Sequence, residues 1–95
     1  MTPAFTVLTS PHFERLARAQ LKRHREFAAV IDRAIRILQK DPYNQDRTQA
    51  IKKLAGAQIE GQWRLRLGHW RFRYDIAGQT VQLKYCGLRR EDTYR

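Results

Sequence analysis

The chain is poor in several things that would otherwise define it. It has one cysteine, Cys86, in 95 residues. No intrachain disulfide can form, and a disulfide-stapled secreted scaffold is excluded. No stretch approaches the roughly 18 consecutive apolar residues of a membrane-spanning helix. Three prolines and five glycines leave no Gly/Ser linker, and there is no repeat or low-complexity tract. The N-terminal Met1-Thr2-Pro3-Ala4-Phe5 lacks the basic-then-apolar form of a signal peptide. The sequence is therefore expected to be one cytoplasmic domain spanning residues 1–95, complete or nearly so, with no membrane partner. Acidic residues are the scarcest class relative to their opposite: nine Asp and Glu stand against nineteen Lys and Arg, for a net charge of +10. That balance repels copies of itself and attracts polyanions. It also fits a basic protein with no anionic partner at all.

What is present divides into a helical first half and a second half of strands. Ala4–Leu8 is short and rich in β-formers and reads as a strand. Ser10 then caps a helix with Pro11 in its first position and Glu14 near its positive end. Phe13, Leu16, Ala17 and Leu21 share a face of this helix. The pattern restarts near His24-Arg25, and Phe27, Val30, Ile31, Ala34, Ile35 and Leu38 form a second apolar stripe at helical spacing. Asp41-Pro42 ends it. Residues 43–61 carry little signal beyond Ile51 and Leu54, which are expected to tuck in, and a turn at Ala55-Gly56.

From Trp63 onward the period becomes two. Trp63, Leu65 and Leu67 alternate with Arg64 and Arg66. After a tight turn at Gly68-His69, Trp70, Phe72, Tyr74 and Ile76 alternate with Arg71, Arg73 and Asp75. After a second turn at Ala77-Gly78-Gln79, Val81, Leu83 and Tyr85 alternate with Gln82 and Lys84. Three strands with short turns make an antiparallel meander. Alternate side chains point to opposite faces, and a helix hairpin can cover only one. The apolar sets, Tyr85 included, are assigned to that covered face. The other face then gathers Arg64, Arg66, Arg71, Arg73 and Lys84, with Asp75 as its only acid. Like charges side by side on neighbouring strands destabilise a sheet, so this pattern points to an anionic ligand. The predicted architecture is α+β, a β-α-α-β-β-β order with the helix hairpin on one face of a small, mainly antiparallel sheet.

That order, with its basic meander, resembles the RelE/ParE toxin superfamily. The segment Ile51-Lys52-Lys53-Leu54-Ala55-Gly56 is similar to the family's Lys-Leu-x-Gly segment before the second strand. The run from Trp63 to Tyr74 resembles its Tyr-Arg-hydrophobic-Arg-hydrophobic-Gly-x-Tyr-Arg-hydrophobic-x-Tyr signature. The ending, Gly87-Leu88-Arg89-Arg90-Glu91-Asp92-Thr93-Tyr94-Arg95, resembles its Gly-His-Arg-x-x-x-Tyr-Arg close. The resemblance implies a toxin of a type II toxin–antitoxin pair, silenced by an acidic antitoxin whose C-terminal segment wraps it. RelE-like members cleave mRNA, commonly on the ribosome; ParE-like members poison DNA gyrase. Family roles carried onto this sequence fall on Arg64 and Arg66, on Arg71 and Arg89 beside the reacting phosphate, and on Tyr94 near the C-terminus. Arg73, Lys84, Arg90, Lys52 and Lys53 complete the cations expected to touch RNA.

The chemistry needs no metal or cofactor, because RNA carries its own nucleophile in the 2′-hydroxyl. A guanidinium grips phosphate through two bonds, which suits Arg71 and Arg89 to stabilising the pentacoordinate phosphate. One well-placed donor is worth roughly a hundred-fold or more in rate. Proton transfer is less well served. Arginine does not give up its proton, so Arg64 and Arg66 cannot act as bases where RelE ribonucleases have lysines. Leu88 also stands where many members have histidine. The remaining acid–base candidates are His69, with an imidazole suited to neutral pH, and Tyr94. His12, His24 and His69 are too scattered for a zinc site, and Cys86 has no partner that would make it a nucleophile. Three readings stay open: a ribosome-dependent endoribonuclease, a gyrase inhibitor without catalytic residues, and a non-toxic RNA- or partner-binding relative.

A cationic face that grips RNA must release counterions. With about four single-strand phosphates contacted, the log–log slope of affinity against salt should be about −3. An RNA-binding titration insensitive to salt would remove the basis for this face.

Overall fold

The computed structural model describes residues 4–54 and 61–89. Strand β1 (Thr6–Thr9) leads into helices α1 (Pro11–Arg23) and α2 (Phe27–Lys40), and the strands β2 (Ala50–Lys53), β3 (Trp63–Leu67), β4 (Trp70–Ala77) and β5 (Thr80–Leu88) follow. Each boundary has a local cause. The Ser10 hydroxyl accepts from the Phe13 N–H at 3.0 Å, with Pro11 in the first turn, where its missing N–H costs nothing. His24 leaves helical geometry and separates the two helices. Asp41 ends α2 before Pro42, which disfavours helix at the residue preceding it.

The five strands form one sheet in the order β1-β5-β4-β3-β2. The meander is antiparallel as expected, and β1 joins β5 in parallel. This ladder sets Thr6 opposite Thr80 and Thr9 opposite Leu83, which moves the first strand later than the expected Ala4–Leu8. The low-signal stretch holds a short edge strand, β2, paired with β3. The loop before it is held by its own side chains. Asp41 accepts from the N–H groups of Gln45 and Asp46, both at 2.9 Å, and the Asn44 amide exchanges two bonds with the Gln49 backbone. The Ala55-Gly56 turn lies outside the described residues.

One face of the sheet is closed by both helices. Phe13 and Ala17 of α1, with Phe27, Ala34 and Leu38 of α2, meet Leu65, Trp70, Phe72, Tyr74, Val81, Leu83 and Cys86 of the sheet in one buried cluster. Ile51 packs against it, as expected. Phe27 stacks on Trp70 with ring centroids 3.9 Å apart. The Tyr74 hydroxyl is buried and donates to the Pro42 carbonyl at 2.7 Å, tying the loop after α2 to the sheet. Among the described residues no helix is long and apolar enough to cross a membrane.

The register contains one irregularity. Tyr74 pairs with Leu83, but Arg73 pairs with Tyr85, so Lys84 is an extra residue in β5. Such a bulge shifts side-chain alternation by one position. The expectation for Tyr85 is corrected accordingly: it leaves the core side, and Cys86, only 1% exposed, takes its place.

Burial pushes the Cys86 thiol up to about 12, and burial, with the nearby Asp41 charge, raises the Tyr74 phenol as well. Both groups stay protonated in the fold after the unfolded chain has released its proton, so stability falls as pH rises above the ordinary thiol range. The slope should approach about 1.4 kcal/mol per pH unit for each such group. Urea denaturation of the wild type should show a loss between about pH 9 and pH 10, and Cys86→Ala should flatten it. Equal slopes for the two proteins would refute this role for the thiol.

Candidate nucleic-acid interface

The uncovered face is organised by register into rows that cross the sheet. In one row Lys52, Arg64, Arg73 and Tyr85 lie opposite one another on β2, β3, β4 and β5. In the next row the sequence is Ala50, Arg66, Arg71 and Gly87. Directly opposed residues in antiparallel strands hold their Cβ atoms about 4.5–5.5 Å apart. The guanidinium groups of four arginines are therefore crowded onto two neighbouring strands. Arg66 is exposed, while Arg64, Arg71 and Arg73 are half-buried.

Little on this face offsets their charge. Asp75 is the carboxylate that the described strands contribute, and its oxygens accept from the N–H groups of Gly61 at 3.0 Å and Gln62 at 2.8 Å. Arg73 turns its Nε to the Gly61 carbonyl at 3.0 Å. Gly61 has φ +83°, and a Cβ there would sit 2.7 Å from that of Arg73, so only glycine fits. Asp75 and Arg73 thus clasp the chain as it enters β3. Among the described residues, none of Arg64, Arg66, Arg71 and Arg73 has a carboxylate within ion-pair distance. The Nε atoms of Arg64 and Arg71 are buried and have no hydrogen-bond partner there. A buried unsatisfied donor costs about 1–3 kcal/mol, more when charged. An anion seated among these side chains would offset their mutual repulsion.

The place for it is a pocket of about 190 Å³ lined by Leu54, Arg64, Arg71, Arg73 and Tyr85. Arg89 continues the β5 ladder, its N–H donating to the His69 carbonyl at 2.7 Å. This sets Arg89 at the same end of the sheet as Arg71 and Gly87. His69 is exposed in the two-residue turn between β3 and β4.

The predicted cations divide. Lys52 joins the arginine face through its pairing with Arg64. Lys53 does not: its ammonium lies 5.6 Å above the Trp63 ring, on the helix side. Strand alternation sets adjacent residues on opposite faces, so the two lysines expected to touch RNA are separated by the strand. Leu54, expected to tuck into the core, instead forms a wall of the pocket. Lys84 is the bulge residue, half-buried. Arg90 and Tyr94 lie outside the described residues.

Tyr85 is the residue that sequence reasoning missed. Its signal was a change of phase. Val81 and Leu83 are apolar at odd positions, then Cys86 and Leu88 at even ones, which requires an extra residue between. With that bulge placed, Tyr85 belongs beside the arginines.

No protein-family model and no curated protein sequence matches the chain. Among solved structures, it is similar to an archaeal RelE–RelB complex from Pyrococcus horikoshii OT3. The TM-score is 0.61 with 21% sequence identity, over 93% of this chain and 98% of the other. The chain has the RelE fold.

Removing one charge while keeping the apolar stem tests the crowding. In low salt, Arg71→Met should melt at or above the wild-type temperature, consistent with relief of about 0.2–1 kcal/mol per opposed like-charge pair. The gap should close as salt screens the remaining charges. A variant several degrees less stable in low salt would mean that Arg71 holds the fold together.

Proposed function

We propose that this chain is the toxin of a type II toxin–antitoxin pair and that it acts as a metal-independent endoribonuclease on ribosome-bound mRNA. The observation that carries this reading is the uncovered arginine face, with a pocket lined by Arg64, Arg71 and Arg73. The RelE fold supports it. The structural neighbour is a complex of RelE with RelB, and by analogy an acidic antitoxin would lie across this face and neutralise it.

In this reading the RNA backbone runs along the rows of arginines. Lys52, Arg64, Arg66 and Arg73 hold flanking phosphates, with Lys84 and Arg90 as further contacts. Arg71 and Arg89 face the scissile phosphate and stabilise the charge that builds as the 2′-oxygen attacks. The bond from phosphorus to the 5′-oxygen breaks, and that oxygen takes a proton. Arginine cannot accept the 2′-hydroxyl proton, which leaves this task to His69 or Tyr94. No cofactor enters the scheme.

A second reading is favoured by a specific observation. The face is supplied with arginine at Arg64 and Arg66, where a base would serve cleavage best. A gyrase inhibitor needs cations for contact and no base at all. A non-catalytic RNA-binding relative would need the same.

The deciding measurement maps mRNA 5′ ends in a bacterial translation extract, wild type beside Arg71→Ala. The nuclease reading expects new ends at codon boundaries with wild type only. The variant should lose at least about a hundred-fold in cleavage rate and remain folded by circular dichroism. Intact mRNA from a protein that still arrests growth would transfer the proposal to gyrase.

A further inference from the structure

Two residues lining the pocket, Leu54 and Tyr85, are not cationic, and of these Tyr85 carries a hydroxyl. Tyr85 reaches the pocket through two features of β5. The extra residue Lys84 turns Tyr85 onto the arginine face, opposite Arg73. Gly87, two residues on, then leaves room for the ring. A Cβ at Gly87 would stand 2.4 Å from the Tyr85 hydroxyl oxygen and 2.9 Å from the ring carbon bearing it. The phenol therefore lies down over Gly87, whose cross-strand partner is Arg71. Gly87 is absent from the positive-φ glycines, so the close approach, not backbone geometry, is what glycine supplies here.

The Tyr85 side chain lines the same pocket as the Arg64 and Arg71 side chains. The pocket is small, about 190 Å³, and three of its five lining residues are arginines, which suits it to a phosphate group. The geometry points to Tyr85 as a substrate contact: its O–H donates to a non-bridging oxygen of an RNA phosphodiester held between Arg64 and Arg71. This rests on the reading of the face as an RNA surface and names the ligand of its central pocket. Tyr85 adds a neutral donor to a site otherwise built of charge.

The test is a binding titration of the full chain with a short single-stranded oligoribonucleotide at several salt concentrations, with a thermal melt for every variant. Tyr85→Phe keeps the ring and should raise Kd by about tenfold or more, the size expected for a hydrogen bond to a charged group. Because no charge is removed, its salt slope should match the wild type. Arg71→Ala should lower affinity and make the slope shallower by about 0.7, one phosphate contact. Gly87→Ala should weaken binding as Tyr85→Phe does, by displacing the phenol, yet add no further loss in a Tyr85→Ala background. Wild-type affinity in a folded Tyr85→Phe, with Arg71→Ala impaired, would overturn the role of Tyr85 and leave the RNA surface standing. An equal penalty for Gly87→Ala with or without the tyrosine would overturn it too. A wild-type protein that does not bind the oligoribonucleotide, while binding an acidic peptide, would overturn both.

Discussion

Two helices can cover only one face of a five-stranded sheet, and the arrangement of this molecule follows from that. The apolar stripes of α1 and α2 need a flat apolar partner, and the odd–even alternation of β3 and β4 provides it. Phe27 lies on Trp70 and Phe72, and Tyr74 spends its hydroxyl on the Pro42 carbonyl. Once these side chains are fixed inward, the residues between them have no choice of side. Arg64, Arg66, Arg71 and Arg73 are directed outward by the packing of their neighbours. A slip of one residue would exchange the two sets and bury the guanidinium groups, so the core holds the cationic face in register.

The magnitudes show why such a face is tolerated. Register sets Lys52 against Arg64, Arg64 against Arg73 and Arg66 against Arg71. Each opposed pair costs about 0.2–1 kcal/mol, and the unpartnered Nε atoms of Arg64 and Arg71 cost about 1–3 kcal/mol each. Against this stands the burial of Leu38, Leu65, Phe72, Leu83 and Val81, each at 0% exposure and each worth about 1.5–3 kcal/mol. The core can carry the face, but the margin narrows with every added cation. An anion lying among the arginines would offset the repulsion between them. Occupation of the face and stability of the fold are therefore linked: a partner that binds only the folded chain stabilises it by mass action.

The sequence made legible whatever depends on local period. Both helices, their break at His24, the meander and the outward arginines follow from spacing and from a few punctuating residues. The short strand β2 did not, because its four residues show no clear alternation and are defined by pairing with β3. Lys52 and Lys53 looked equivalent for the same reason: without the strand, nothing assigned them to opposite faces. Tyr85 was misread because strict alternation was carried through the Lys84 bulge. The apolar phase had already changed at Cys86, but a single aromatic at an odd position fitted the simpler pattern. The closing motif is readable as a resemblance to the RelE/ParE family, and its part from Arg90 to Tyr94 lies outside the described residues.

The composition of the face also separates two demands that are often treated as one. Stabilising a phosphorane needs fixed positive charge and directed donors, and Arg64, Arg71, Arg73 and Tyr85 concentrate both around a small pocket. Accepting a proton needs a group that can exist without one near neutral pH, and no arginine meets that condition. His69 is exposed in its turn, and its carbonyl accepts the backbone bond from Arg89. Cys86 and Tyr74, the groups that burial perturbs, face the core and hold their protons more tightly than usual. The rows of arginines thus gather positive charge and donors, while proton transfer in the proposed cleavage would fall to His69 at the hairpin tip or to Tyr94. Under the proposed function that division would let one scaffold serve either a nuclease or an inhibitor, because changing the proton-transfer groups leaves the rows of arginines, and the core that aims them, intact.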